Sequence, residues 1–291
     1  FMIDLSKNIH YDEIFLGQVK MCLGDLDIDS NSQPSDDGVV NIISNYYNIN
    51  KKNLSIGFGS GDVLKRIIDL PEVDHLYVVE PTFRGAMIYA RNKGISYRPL
   101  HYTKFNEIQL SMFPVNSIIY IANPNGNNGH SFKKEDLLEI IRRSKLTILD
   151  EAYVEFGGES LINDVSDKLI VLRTFSKSLG MPNIRCGFAV SSESNIDKLR
   201  RHNLIYNSTN LAYHILKEKI DQIPPIVDRM KQGKDFLQQN FSHIKSDGNY
   251  VLLDSKYADT FSKFCKFSTR GDYLRIALTN TRLLKECLQK F

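Results

Sequence analysis

Between residues 54 and 190, short runs of aliphatic and β-branched residues alternate with stretches whose apolar positions recur every three or four residues. A short continuous apolar run suits a strand buried on both faces, and the longer spacing suits an amphipathic helix. The runs predict strands at Leu54 to Phe58, Leu76 to Glu80, Ser117 to Ala122, Leu146 to Asp150, Leu169 to Thr174 and Arg185 to Val190. Helices are predicted over Gly61 to Leu70 and Lys133 to Arg143, the second with Leu137, Ile140 and Ile141 on one face and charges opposite. Alternating strands and helices build an α/β fold around a mostly parallel sheet, which binds ligands at the carboxyl ends of its strands.

After residue 192 the pattern changes to long helices, interrupted at Pro224 and Pro225, and then to two strand-like segments, Tyr250 to Leu253 and Leu274 to Leu278. This reads as a smaller α+β domain. The polar stretch from Asp25 to Asp37 is loop-like, so the N-terminal residues are expected to cross over and join that domain. The resulting division is a large domain at 34–192 and a small domain from 1–33 and 193–291. No internal repeat or low-complexity tract interrupts it.

With 291 residues and 42% hydrophobic content, the chain can bury a substantial core. Its 37 Lys and Arg face 34 Asp and Glu, and a net charge of +3 is too small and dispersed to imply a nucleic-acid partner. Cys22, Cys186, Cys265 and Cys287 share no close spacing of the metal-binding or redox kind. They read as reduced thiols in a cytoplasmic protein, with no metal expected. The first residues contain no apolar run of signal-peptide length, and no later stretch is long enough to span a bilayer. Phe1, ahead of Met2, is set aside as an addition.

The chemistry concentrates in Thr174-Phe-Ser-Lys-Ser-Leu-Gly-Met-Pro-Asn-Ile-Arg-Cys-Gly187, which joins two predicted strands. Lys177 and Ser176 would sit at a strand's carboxyl end, where a lysine can act as a Schiff-base nucleophile if its amine is partly desolvated. A solvated lysine is the ordinary alternative, but Arg185, eight residues on, adds the guanidinium that a phosphate dianion requires. Upstream, the run ending in Asp150-Glu-Ala-Tyr153 brings a carboxylate to the same edge. Taken alone, Asp150 reads equally as a helix cap and Tyr153 as a packed aromatic.

Gly57-Phe-Gly-Ser-Gly-Asp62 opens a helix, where the backbone N–H groups of Ser60 and Gly61 would form an anion site. Steric need for glycine at a strand-to-helix turn explains the same residues. Phe83, after another strand, could stack on a planar ring. Asn123-Pro-Asn-Gly-Asn-Asn-Gly129 ends a fourth strand as a turn.

In this order the segments resemble the pyridoxal-phosphate aminotransferases of fold type I, particularly histidinol-phosphate aminotransferase and its relative threonine-phosphate decarboxylase. The resemblance runs from Ile3-Asp-Leu-Ser-Lys-Asn-Ile9 to Tyr273-Leu-Arg-Ile-Ala277. It is most specific in Asp150-Glu-Ala-Tyr-Val-Glu-Phe156, Arg173-Thr-Phe-Ser-Lys-Ser178 and Arg185-Cys-Gly-Phe188. It implies the aspartate aminotransferase-like fold, pyridoxal 5′-phosphate as cofactor, transfer of an amino group to a 2-oxo acid, and a homodimer.

Carried over by position, Lys177 becomes the Schiff-base lysine and proton carrier. Asp150 pairs with the ring nitrogen, Tyr153 with the phenolate oxygen, and Phe83 stacks on the ring. Ser60, Gly61, Ser176 and Arg185 hold the phosphate, while Arg275, Asn249 and Asn8 face the substrate. The resemblance departs at Gly126, where the family carries the asparagine that contacts the cofactor, leaving Asn125 to stand in. It departs again at Gln33, where the family's tyrosine reaches the partner subunit's phosphate. The chain is also shorter than typical members at its N-terminus and between Asp254 and Tyr273. Decarboxylation of a phosphorylated amino acid is the alternative activity, and a non-catalytic relic of the fold is the alternative from another class.

Overall fold

A computed structural model describes residues 3–7, 9–24, 33–101 and 110–288, with the side chains of 22–24 and 287 excepted. Seven strands form the central sheet: β1 (Leu54–Gly57), β2 (His75–Glu80), β3 (Ser96–His101), β4 (Ile118–Ala122), β5 (Leu146–Asp150), β6 (Leu169–Thr174) and β7 (Gly187–Val190). Their spatial order is β1-β7-β6-β5-β4-β2-β3. β7 runs antiparallel to the other six. The carboxyl ends of β1, β2, β4, β5 and β6 therefore share one edge with the amino end of β7. Neighbouring registers, Ala122 beside Asp150 and Thr174 beside Gly187, hold these ends level.

Strand parity sorts the core. Ile118 and Tyr120 of β4 and Ile148 of β5 pack in one buried cluster, while Ile119 and Ile121 of β4 and Leu149 of β5 pack in another. Helices α1 (Glu13–Gly24) and α2 (Asp36–Tyr47) precede the sheet and α6 (Phe175–Ser178) follows β6; the first cluster is covered by α3 (Ser60–Asp69), α4 (Arg84–Lys93) and α7 (Glu193–Arg200), through Val63, Leu64, Ala86, Ala90, Ile196 and Leu199. The second is covered by α5 (Lys134–Arg143), through the predicted Leu137, Ile140 and Ile141. With both faces covered, the strands become continuous apolar runs.

Several elements differ from expectation; in the C-terminal region the strands His243–Ile244 and Ser268–Arg270 add to the two predicted there. β3, which the apolar pattern does not predict, pairs among the described residues with β2 alone and is mostly exposed. An edge strand needs no apolar run and tolerates Pro99, so periodicity does not announce it. Pro224 and Pro225 do not interrupt a helix; they occupy the first turn of α9 (Ile223–Asn240). There a missing N–H leaves no bond unmade and the fixed φ favours the start.

Beyond α8 (Asn210–Lys219) and α9, four antiparallel strands form a second sheet. They are β8 (His243–Ile244), β9 (Tyr250–Asp254), β10 (Ser268–Arg270) and β11 (Tyr273–Ala277), in the order β10-β11-β9-β8. Two short pairings tie the N-terminal residues to this region: Ile3–Asp4 lies parallel to Cys265–Lys266, and Tyr11 bridges to Thr279. Among the described residues, no helix is long and apolar enough to cross a membrane.

Candidate active site

At the shared strand edge lies a cleft of about 780 Å³ lined by Ser60, Gly61, Phe83, Asp150, Tyr153, Ser176, Lys177 and Arg185. Each arrives by a local device. β5 ends on Asp150, and Tyr153 caps the short helical turn that follows. β6 ends on Thr174, whose hydroxyl oxygen accepts the Ser176 N–H at 3.2 Å and starts a single helical turn, Phe175–Ser178, that carries Lys177. Arg185 stands just before β7 in the left-handed region at φ 49°. Its Nη2 donates to the Phe58 carbonyl at 2.9 Å and its Nη1 to that of Pro182 at 3.1 Å, which fixes the guanidinium over the loop after β1.

That loop is built for close approach. Gly59, at φ 88°, caps α3 with no side-chain acceptor, so the positive end of the helix faces the cleft. The Asp62 carboxylate braces the turn, accepting from Phe58 N at 3.1 Å and from Arg66 Nη2 at 3.2 Å. Gly187 of β7 is required because a Cβ there would overlap Ser60 N and lie 2.9 Å from Gly59 Cα. Backbone cannot yield as a flexible side chain can, so β7 and the anion-facing turn fit only through this glycine.

Burial pushes the Asp150 carboxyl above its ordinary value, while the Tyr120 hydroxyl, the Ala152 N–H and the Lys177 charge pull it down. Tyr120, fully buried on β4, donates to Asp150 Oδ2 at 2.7 Å, and Ala152 N donates to Oδ1 at 3.1 Å. Lys177 is pushed down to about 8 by burial first and then by the Arg275 charge, with Asp150 opposing. Its Nζ lies 5.4 Å from the centre of the Tyr153 ring. Arg275, on β11, is wholly buried and lies 3.8 Å from the centre of the Tyr250 ring. None of its three side-chain nitrogens meets a hydrogen-bond acceptor.

Other sequence candidates are placed elsewhere. The structure does not bring Asn125 to the cleft wall: its amide donates to the Pro81 carbonyl at 2.5 Å and its oxygen accepts from Asn127 N at 2.8 Å. Those bonds shape the turn, and Asn127 lines the cleft in its place, anchored through Nδ2 to the Thr82 carbonyl at 2.7 Å. Gly126 is filled from outside, because a Cβ there would stand 2.7 Å from Tyr153 Cε2. Asn249 is buried just ahead of β9, where its carbonyl accepts the Leu278 N–H at 3.0 Å. Asn8 falls outside the described residues. Gln33 is exposed.

Sequence reasoning missed Tyr120, although its two-residue spacing from Ala122 puts it on the Asp150 side of the sheet. It also missed His10, fully enclosed against Phe156 at 5.5 Å between ring centres, which no short motif marks.

The model of the family described as aminotransferase class I and II matches residues 42–272. The chain belongs to that family. Among similar aminotransferases, histidinol-phosphate aminotransferase of Pyrococcus furiosus is 29% identical over 227 residues, covering 72% of this chain and 66% of the relative. The one from Thermotoga neapolitana is 30% identical over 217 residues, covering 70% and 64%. The chain thus spans just under two thirds of these relatives' length. In fold, this aminotransferase-family chain resembles histidinol-phosphate aminotransferase from Clostridium acetobutylicum, with a TM-score of 0.77 at 19% identity, covering 99% and 97% of the two chains. It equally resembles L-threonine-O-3-phosphate decarboxylase from Porphyromonas gingivalis, with a TM-score of 0.78 at 17% identity, covering 100% and 99%.

Proposed function

We propose that this chain is a pyridoxal-5′-phosphate-dependent aminotransferase that moves an amino group between an amino acid or phosphorylated amine and a 2-oxo acid, in the manner of its histidinol-phosphate aminotransferase relatives. The observation that carries the reading is the pairing of a desolvated amine, Lys177 at about 8, with a buried carboxyl, Asp150, in one cleft. A lysine with a depressed pKa is a nucleophile near neutrality, and an acid held apart from it divides the labour of charge.

The residues fit the cofactor. The α3 N-terminus at Ser60 and Gly61, with Ser176 and Arg185, presents the donors a phosphate dianion needs. Asp150 would pair with the ring nitrogen, Tyr153 with the phenolate oxygen, and half-exposed Phe83 would cover the ring. Asn127 takes the wall position for which Asn125 was the candidate. The Arg275 guanidinium, buried on the Tyr250 ring, supports an anionic substrate group, since a buried cation gains from an anion that enters beside it. Asn249 and Asn8 stay substrate-side candidates.

Once bound, the cofactor supplies an electron-withdrawing ring that weakens the bonds at a substrate's α-carbon. Asp150 would keep the positive charge on the ring nitrogen. Lys177, half deprotonated near pH 8 and neutral above it, would take the proton from the α-carbon and return it on the cofactor side. Burial of Asp150 and Lys177 limits the water around them, which strengthens their charge interactions.

The reading includes a homodimer in the cytoplasm, small-molecule donor and acceptor as partners, and neither nucleic acid nor membrane. It also draws the boundary of the large unit after α7, because Ile196 and Leu199 pack with α3. The test is the visible spectrum of purified protein mixed with pyridoxal phosphate. An absorption band lost on borohydride treatment and absent from Lys177→Ala supports the reading. A colourless protein overturns it, and carbon dioxide release from a phosphorylated amino acid would replace transamination by decarboxylation.

A further inference from the structure

Asp150 is held from behind by a group with no place in the reaction outlined above. Tyr120 has no exposed surface, and its hydroxyl donates to Asp150 Oδ2 at 2.7 Å. The contact follows from the sheet: β4 and β5 are adjacent and parallel, with Tyr120 beside Ile148 and Ala122 beside Asp150. Tyr120 thus stands on the same face, two positions back from the carboxylate. Oδ1 accepts the Ala152 N–H at 3.1 Å. Both oxygens are thereby oriented before any ligand enters. Burial holds the Tyr120 phenol well above its ordinary range, with the Asp150 charge adding to it, so the hydroxyl stays a donor at every working pH.

We propose that Tyr120 is a positioning residue that aims the Asp150 carboxylate at the cofactor's ring nitrogen and lowers its basicity, keeping the shared proton on the nitrogen. The inference rests on the function proposed above. A hydrogen bond to a carboxylate stabilises its ionised form. Remove it, and Asp150 becomes the stronger base of the pair. The proton then shifts from nitrogen to oxygen, and the ring loses part of its pull on electrons. Asp150 also loses one of the two bonds that orient it, keeping the Ala152 N–H on Oδ1.

The test uses the full chain loaded with pyridoxal phosphate labelled with ¹⁵N in its ring, in wild type, Tyr120→Phe, Asp150→Asn and the double variant. Phenylalanine keeps the buried ring and removes only the hydroxyl. Tyr120→Phe is expected to weaken cofactor affinity about tenfold, as a hydrogen bond to a charged group does. It should also move the ¹⁵N signal toward that of a neutral pyridine. In the Asp150→Asn background the same change should leave both readings within about twofold, since a residue acting through Asp150 has nothing left to act on.

Equal losses in the two backgrounds, or an unmoved ¹⁵N signal in Tyr120→Phe, overturn the proposal. If Tyr120→Phe does not fold, Tyr120→3-fluorotyrosine, a stronger donor of nearly the same shape, decides instead. It must move the signal in the opposite direction. A wild-type protein that takes up no pyridoxal phosphate overturns the function itself and this inference with it; a wild type that binds normally while Tyr120 is uncoupled overturns this inference alone.

Discussion

Arg173→Met should destabilise the unloaded protein by about 4 kcal/mol at neutral pH, the range found when one partner of a buried ion pair is deleted. The Arg173 side chain is almost wholly enclosed, with Nε 3.1 Å from Glu151 Oε2 and Nη1 donating to Glu155 Oε1 at 2.7 Å. Glu151 is completely buried; its oxygens also accept from Leu161 N at 2.6 Å and the Ser160 hydroxyl at 2.7 Å. The guanidinium further lies 5.2 Å from the centre of the Tyr47 ring. Methionine fills much of the volume but leaves two carboxylates with no countercharge.

The loss must then depend on pH. Burial already raises both glutamates above the ordinary 4.5, with the Arg173 charge opposing it. A group whose folded pKa is raised favours the folded state below its unfolded value and withdraws that support as pH rises through the folded value. Removing Arg173 raises both further, so the deficit should open once pH passes the raised wild-type values and grow from there. Urea unfolding followed by circular dichroism at several pH values measures it. The triple variant Arg173→Met, Glu151→Gln, Glu155→Gln should recover most of the stability at neutral pH. A deficit below about 1 kcal/mol, as expected of an exposed pair, or one that does not change with pH, would refute the reasoning. Because Glu151 follows Asp150 and Arg173 precedes Thr174, the same network holds the two strand ends that supply the carboxyl and the lysine turn.

Other outcomes follow from the same geometry. Gly187→Ala should cost about 1–3 kcal/mol through backbone overlap and weaken pyridoxal phosphate binding by displacing the Ser60 turn, read by titration of the visible band; unchanged affinity would remove Gly187 from that role. Capture of pyridoxal phosphate by the unloaded protein should accelerate with pH to a midpoint near 8 rather than 10.5, and Arg275→Leu should move the midpoint upward by removing a positive neighbour. His10 is held down to about 4 mainly by burial, so its support for the fold is present above 6.5 and fades as pH falls toward 4. That window amounts to roughly 3 kcal/mol at 1.36 per unit, and His10→Phe should flatten the acid limb of the unfolding free energy across it.

The chain's own pattern determined the parts that local physics dictates. Six of the seven central strands were legible as apolar runs because a sheet covered on both faces demands them, and α3 and α5 were legible from one apolar stripe each. The convergence of Asp150, Lys177 and Arg185 was legible too, since a parallel sheet brings strand ends to one edge wherever they lie in sequence. Tertiary structure alone decided the rest. β3 could form without an apolar run because its partner β2 supplies the ladder. Asn125 and Asn127 are the same residue type two positions apart, and only the bonds to Pro81 and Thr82 send one into the turn and the other to the wall. Tyr120 and His10 carry no mark in the sequence, and Arg173 enters it only as the first residue of a motif. Their roles appear only where burial removes water and leaves each polar group dependent on a neighbour far away in the chain, a dependence that short-range periodicity does not encode.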